Sequence, residues 1–266
     1  MGENKFGLRL ILTVIFFTLI FNVEAFATSM SVDKSKIADG IVGVKYSGDF
    51  KTQIKLTVEK DGNRYVYTVV NNKWNYVPLQ MGTGSYTVAL NQQISGTKYK
   101  TLGAEKVTAK TIDEKAMYTY PTMITYFNDS MNSITYFKNK NAKRTYENKV
   151  SFVYQDVVSN YSYDYDKVKN LPANYVPYID DMYKSKKGIC YDYAALMAGA
   201  LRTEGIPTKL VMGYSQQVQG YHAWNEIYVN NKWIPVDTTY DATKFQAGFK
   251  VDFEKKASNF EIVKVY

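Results

Sequence analysis

A single cysteine, Cys190, and a single histidine, His222, are the only residues of their types in the 266-residue sequence. A thiol is a modest nucleophile until it ionises. An imidazole within hydrogen-bond reach can take its proton and later return it to a leaving group. Such a pair needs a third residue to hold the ring by its other nitrogen. Asp237 is the candidate, by a register argument. Asn230-Asn231 suits a tight two-residue hairpin turn between two alternating runs. Val229 then faces Lys232, Trp224 faces Asp237 and His222 faces Thr239. That pairing places His222, Trp224 and Asp237 on one face, with Asp237 the diagonal neighbour of His222.

The elements that must position these residues are legible around them. A helix is expected over Gly188–Glu204, with Tyr193, Leu196, Met197, Ala200 and Leu201 as its apolar stripe, Gly205 as its stop and Pro207 just beyond. Cys190 falls in its first turn, where unpaired N–H groups and the helix dipole favour a thiolate. Gly188 lets the backbone approach closely and removes bulk in front of the sulfur. Strands are expected over Thr208–Tyr214, Tyr221–Val229 and Lys232–Asp237. Upstream, residues 113–187 read as helical and rich in tyrosine, with apolar residues at three- and four-residue spacing over Met123–Phe137 and Tyr146–Val158. Tyr161, Tyr163 and Tyr165 cluster just before the cysteine segment. From Gly40 to Lys110 the period is two: Ile54, Leu56 and Val58 alternate with polar residues, Asp61-Gly62-Asn63 marks a turn, and Tyr65, Tyr67 and Val69 alternate on the return. This earlier stretch holds neither cysteine nor histidine.

Lys5 and Arg9, the apolar run Leu10–Val23 and the small-residue exit Ala25-Phe26-Ala27 read as an export signal over residues 1–27. The run is too short for a comfortable membrane span, so no stable membrane insertion is expected. The acidic and basic residues of that segment cancel, and the remainder keeps the formal charge of +8. A basic exported chain is expected to associate with anionic cell-surface polymers. The lysines and arginines are scattered and no nucleic-acid-binding motif accompanies them, so nucleic acid is not an expected partner. One cysteine makes no intrachain disulfide, and the fold must be held by its core.

Three segments resemble one known family. Gly188-Ile189-Cys190-Tyr191-Asp192-Tyr193-Ala194, with Leu201-Arg202, Gly205-Ile206-Pro207 and Gly213-Tyr214, resembles the nucleophile segment of transglutaminase-like proteins. Tyr221-His222-Ala223-Trp224-Asn225-Glu226 and Trp233-Ile234-Pro235-Val236-Asp237-Thr238-Thr239 resemble that family's histidine and aspartate strands, in the family's order. The resemblance is strongest over Tyr161–Asp241. The alternation over Gly40–Lys110 reads as a small antiparallel, sandwich-like β-domain over residues 28–112, and the resemblance implies that a papain- and transglutaminase-like α+β core follows over residues 113–266, an α+β fold overall. The resemblance implies acyl chemistry through a cysteine thioester, with Cys190, His222 and Asp237 as catalytic residues and no metal or other cofactor. Tyr163 and Tyr165 are the candidate side-chain donors to the oxyanion, and Gly188, Tyr191 and Trp224 are expected to line the cleft. The expected substrate is a protein or peptide amide, cell-wall peptides included, met outside the cell. The other reading is a non-catalytic cell-surface binding protein that uses the same fold as a scaffold.

Overall fold

The computed structural model describes residues 30–48 and 52–266. The export signal expected over residues 1–27 lies outside them. The first part of the described chain is all strand: β1 (Met30–Asp33), β2 (Ile41–Tyr46), β3 (Ile54–Lys60), β4 (Asn63–Thr68), β5 (Trp74–Pro78), β6 (Gly84–Ser95) and β7 (Lys98–Ala109). They form two antiparallel sheets, ordered β1-β2-β5 and β4-β3-β6-β7. The period-two pattern is the cause. Ile54, Leu56 and Val58 are fully buried, and Tyr65 and Tyr67 are buried around an exposed Val66. Lys60 pairs with Asn63 across Asp61 and Gly62, both at positive φ, the conformation of the tightest hairpin turns.

The rest of the chain mixes helices and strands: α1 (Glu114–Met117), α2 (Asn132–Asn141), α3 (Tyr146–Asn160), β8 (Ser162–Tyr163), α4 (Tyr165–Lys169), α5 (Ile179–Ser185), β9 (Lys187–Gly188), α6 (Cys190–Arg202), β10 (Thr208–Ser215), β11 (Val218–Val229), β12 (Lys232–Val236), α7 (Thr238–Gln246) and β13 (Phe260–Val265). The main sheet is antiparallel, ordered β12-β11-β10-β13. The fold is thus α+β, as expected, and its core sits where α6 lies on that sheet. Asn225 of β11 fastens the two layers by donating to the carbonyls of Ala194 on α6 and Lys209 on β10.

Three expectations about elements change. The helix read over Met123–Phe137 begins only at Asn132, because its N-terminal cap is remote: the Asp180 carboxylate of α5 accepts from the backbone N–H groups of Asn132 and Ser133. The strand read through Asp237 ends at Val236, and Asp237 caps α7 instead, its Oδ1 accepting from Tyr240 N. Thr239 therefore belongs to α7 and does not face His222. Finally, β13 completes the sheet beside β10.

The two parts share one contiguous apolar cluster. The end of the chain contributes to the junction: Tyr65 and Tyr67 meet the Tyr266 ring edge-on, and Gln80 donates to Val265 O. No helix among the described residues is long and apolar enough to cross a membrane.

Candidate active site

Cys190 is the first residue of α6 and is half-buried. Its turn is held from behind by Asp192. One oxygen of that buried carboxylate accepts from Ile189 N at 2.8 Å and from Lys167 Nζ at 2.7 Å. The other accepts from the Tyr175 hydroxyl. A carboxylate in the first turn of a helix satisfies orphan N–H groups and complements the dipole. Here it also ties the segment carrying Lys167 and Tyr175 to the cysteine turn. Sequence reasoning passed over Asp192, although an acidic residue three positions after a helix-capping position is a recognised signal.

His222 comes from β11. Asn230 and Asn231 both adopt positive φ, and Val229 pairs with Lys232, so the hairpin is the tight one that the register argument required. His222 Nε2 lies 2.8 Å from Asp237 Oδ2, and both side chains are almost fully buried. Cys190 lies close enough to the ring to act on its charge. With Nε2 held by the carboxylate, Nδ1 is the nitrogen left for the thiol. Burial alone pushes the imidazole toward its neutral form. The Asp237 charge and hydrogen bond, with help from Cys190, outweigh it and raise the His222 pKa to about 10. Asp237 is fixed by using its two oxygens differently, one on the imidazole and one as the cap of α7.

Gly213 on β10 faces His222 across the ladder. A Cβ there would lie 1.9 Å from the Glu261 carbonyl oxygen of β13, so only glycine lets β13 close on this part of the sheet.

The tyrosines sort themselves by position. Tyr163, on β8, pairs with Gly188 of β9, and Asp164 N donates to Gly188 O at 2.9 Å. This brings Tyr163 beside the cysteine turn. Its pKa is pushed up to about 12, by burial first and then by the nearby Cys190. Tyr165 packs edge-on against Tyr163 at 4.9 Å but is 63% exposed, at the rim. A cavity of about 390 Å³ opens beside His222, with Tyr163, Tyr165, Gln217, Gln219 and Tyr240 among its walls.

Gly188, Tyr191 and Trp224 do not line this cavity. Gly188 is buried, and the space a side chain would need is filled by Asp192 and Met182, so its smallness serves the capping carboxylate rather than the front of the sulfur. Tyr191 is half-buried, edge-on to Tyr175. Trp224 is buried, stacked on the His222 ring on one side and against Phe260 on the other. It backs the imidazole and has no share in the open surface.

Behind Asp237, one turn along α7, Asp241 makes a second buried network. Its oxygens accept from Lys255 Nζ at 2.6 Å and from Tyr154 Oη at 2.8 Å. Burial raises the Asp241 pKa to about 6 even so.

Comparison with known proteins finds similarity over part of the chain. The family model described as the transglutaminase-like superfamily matches residues 134–238, from α2 to the start of α7. Two curated archaeal proteins are similar to part of the chain. UPF0252 protein MJ1282 of Methanocaldococcus jannaschii is 28% identical over 120 residues, 41% of this chain and 33% of its own length. UPF0252 protein PH1321 of Pyrococcus horikoshii is 32% identical over 94 residues, 35% of this chain and 28% of its own length. The chain thus spans about a third of the length of the curated relatives it matches. Among solved structures, Legionella pneumophila LapG in an EGTA-treated form aligns over 57% of this chain and 79% of its own, with a TM-score of 0.39 and 14% identity.

Proposed function

We propose that the protein is a cysteine-dependent acyl transferase or amide hydrolase acting on protein or peptide amides. The reading rests on one observation: the only thiol of the chain sits at a helix N-terminus beside the only imidazole, which is itself held at 2.8 Å by a buried carboxylate. In this reading Cys190 gives its proton to His222 Nδ1, and the sulfur attacks the amide carbonyl. The tetrahedral oxyanion is held by the Cys190 backbone N–H and by Tyr163 Oη, the better placed of the two tyrosine candidates. Collapse breaks the C–N bond, and the imidazolium returns the proton to the leaving amine. The thioester that remains is resolved by water, giving an acid, or by a second amine, giving a new amide. Either step regenerates the thiol. In this reading the chemistry takes place outside the cell, close to anionic wall polymers; the signal-like pattern of residues 1–27 and the formal charge of +8 support it.

Alkylation by iodoacetamide followed against pH tests the reading. In the native protein the rate should stay high well below the range of a small free thiol, and His222→Ala should abolish that advantage. Incubation with glutamine-containing peptides should then give a thioester adduct on Cys190, seen by mass spectrometry. A rate profile that matches a small thiol would remove the basis for catalysis.

A further inference from the structure

The cavity beside His222 does not end at the site. A second cavity, of about 490 Å³, adjoins it and shares three walls with it: Gln217, Tyr240 and Lys244. The two cavities are neighbours along those three residues, and they differ chemically. Near His222 the walls are aromatic rings and neutral hydrogen-bonding side chains, with Lys244 the only charged group besides the imidazole. The far cavity carries four lysines, Lys244, Lys250, Lys255 and Lys256, against Asp241, Asp252 and Glu254.

Internal pairing does not balance that far cavity. Lys255 is buried on Asp241, and Glu254 is paired outward with Lys232 at 2.7 Å. Lys244, Lys250 and Lys256 have no ion pair among the described residues, and only Asp252 remains to oppose them. Lys244 lies over the rings of Tyr240 and Phe249, which hold it at the junction of the two cavities. Lys250 and Lys256 are exposed on the wall of the far one. A local excess of positive charge in a concave surface focuses its field on whatever occupies it.

We infer that the two cavities act as one groove, which takes an extended polypeptide whose acidic side chains, lying to one side of the reacting amide, seat among Lys244, Lys250 and Lys256. The uncharged half suits the backbone and neutral side chains around the reacting carbonyl. The basic half selects the flanking carboxylates. This deepens the acyl-transfer reading, and rests on it only for which end of the groove holds the reacting carbonyl.

Equilibrium binding to the Cys190→Ala variant tests the groove without turnover. The probes are fluorescein-labelled peptides with a central glutamine in a Ser/Gly context. One carries three glutamates before the glutamine, one carries three after it, and one carries serines throughout. One glutamate peptide should bind roughly tenfold tighter than the serine peptide at low ionic strength, and lose that advantage as salt screens it. Lys250→Glu/Lys256→Glu should bring it down to the serine level. Lys98→Glu/Lys100→Glu, an equal charge change at exposed positions on β7, should not. The control matters because a chain of net charge +8 attracts acidic peptides everywhere. The inference is overturned if neither glutamate peptide gains over serine, or if the β7 reversal costs as much as the groove reversal. In the latter case the acidic ligand belongs to the general surface, as an anionic wall polymer would. Selective binding in a protein whose thiol alkylates like a free one would keep the groove and discard the acyl chemistry.

Discussion

The strand region of residues 30–109 and the mixed region that follows bury similar aliphatic and aromatic cores, but they differ in the polar groups inside. The buried polar residues of the first are uncharged: Thr57, Asn75 and Asn91. Each is satisfied within that region, as where Asn75 donates to the carbonyls of Val44, Val70 and Lys73. The second region buries Asp156, Asp192, Arg202, His222, Asp237, Asp241 and Lys255. Burying a charge costs several kcal/mol unless it is paired and hydrogen-bonded. A fold that does so repeatedly within one layer must hold those groups in fixed geometry. Asp192 holds the cysteine turn, Asp237 holds the imidazole, and the Asp241–Lys255 pair stands one helical turn behind. The difference separates a region whose interior is largely apolar and uncharged from one that buries charged groups to position reactive ones.

The largest effect that would break or sharpen this contrast is at the thiol and the imidazole. Cys190→Ala or His222→Ala should each lower any acyl-transfer rate by roughly 10⁴-fold or more, and the double variant should fall little further, because the two act as one unit. Stability of Cys190→Ala should change by no more than about 1 kcal/mol, since a small half-buried atom is removed from the edge of the core. Kinetics and thermal melts of the three variants check this. Full activity in Cys190→Ala would show that the positioned groups serve something other than nucleophilic catalysis.

Asp237→Asn should act less strongly on rate, about 10²- to 10⁴-fold, but it has its own signature. His222 is the only histidine, so its imidazole resonances can be followed by NMR without assignment ambiguity. Loss of the carboxylate removes the two largest influences that raise its pKa and leaves burial, which lowers it, opposed only by the smaller raising effect of Cys190. The titration should fall from about 10 to below the ordinary value of 6.5. The sign for stability follows. A histidine whose folded pKa is raised contributes stability that is fully present below pH 6.5 and is lost as pH rises through about 10. The stability gap between native protein and Asp237→Asn should therefore be widest below pH 6.5 and should close toward pH 10. An imidazole that still titrates near 10 in the variant would mean that Asp237 does not hold the ring.

Much of this was legible in the sequence, and the reason is locality. The turn at Asn230-Asn231 fixes parity along both strands as far as Val236, and Asp237, the next residue, meets His222 from the start of α7. The helix start before Cys190 and its stop at Gly205 are equally local. What the sequence hid depends on distant partners. The start of α2 is set by Asp180, and the glycine at 213 is required by the backbone of Glu261. Trp224 illustrates the limit of face arguments. It shares a face with His222, as the alternation says, yet Phe260 from an unanticipated strand covers it. The hydrophobic period places a residue on a face, but whether that face is open depends on what packs against it.

A third prediction concerns the strand region alone. Leu56 is fully buried between its neighbours on β3. Leu56→Ala should cost about 2–5 kcal/mol by lost transfer energy and the residual cavity. The alkylation rate of Cys190 under native conditions should not change, because no group that touches the thiol or the imidazole comes from that region. Chemical denaturation and alkylation of the same samples measure both. A rate that falls with stability would show that the two regions are coupled through the shared cluster more tightly than their separate polar content suggests.

The smallest effect expected is at the junction itself. Gln80 Nε2 donates both to the Tyr67 hydroxyl at 3.1 Å and to Val265 O at 3.2 Å, so one side chain bridges the strand region to β13. Its Oε1 is buried without a partner, a standing cost that offsets part of what the two donated bonds contribute. Gln80→Ala removes the bonds and the orphan together and should therefore cost only about 0.5–1 kcal/mol. The local consequence is the sharper readout. Val265 O loses a donor, and β13 is held to the main sheet only through β10, so backbone amides of Phe260–Val265 should exchange faster while those of β11 and β12 do not. Hydrogen exchange resolved to single segments makes the comparison. Uniform acceleration across β10, β11 and β12 would mean that the strand region supports the whole sheet that carries His222, and the division into a stabilising region and a positioning region would no longer hold.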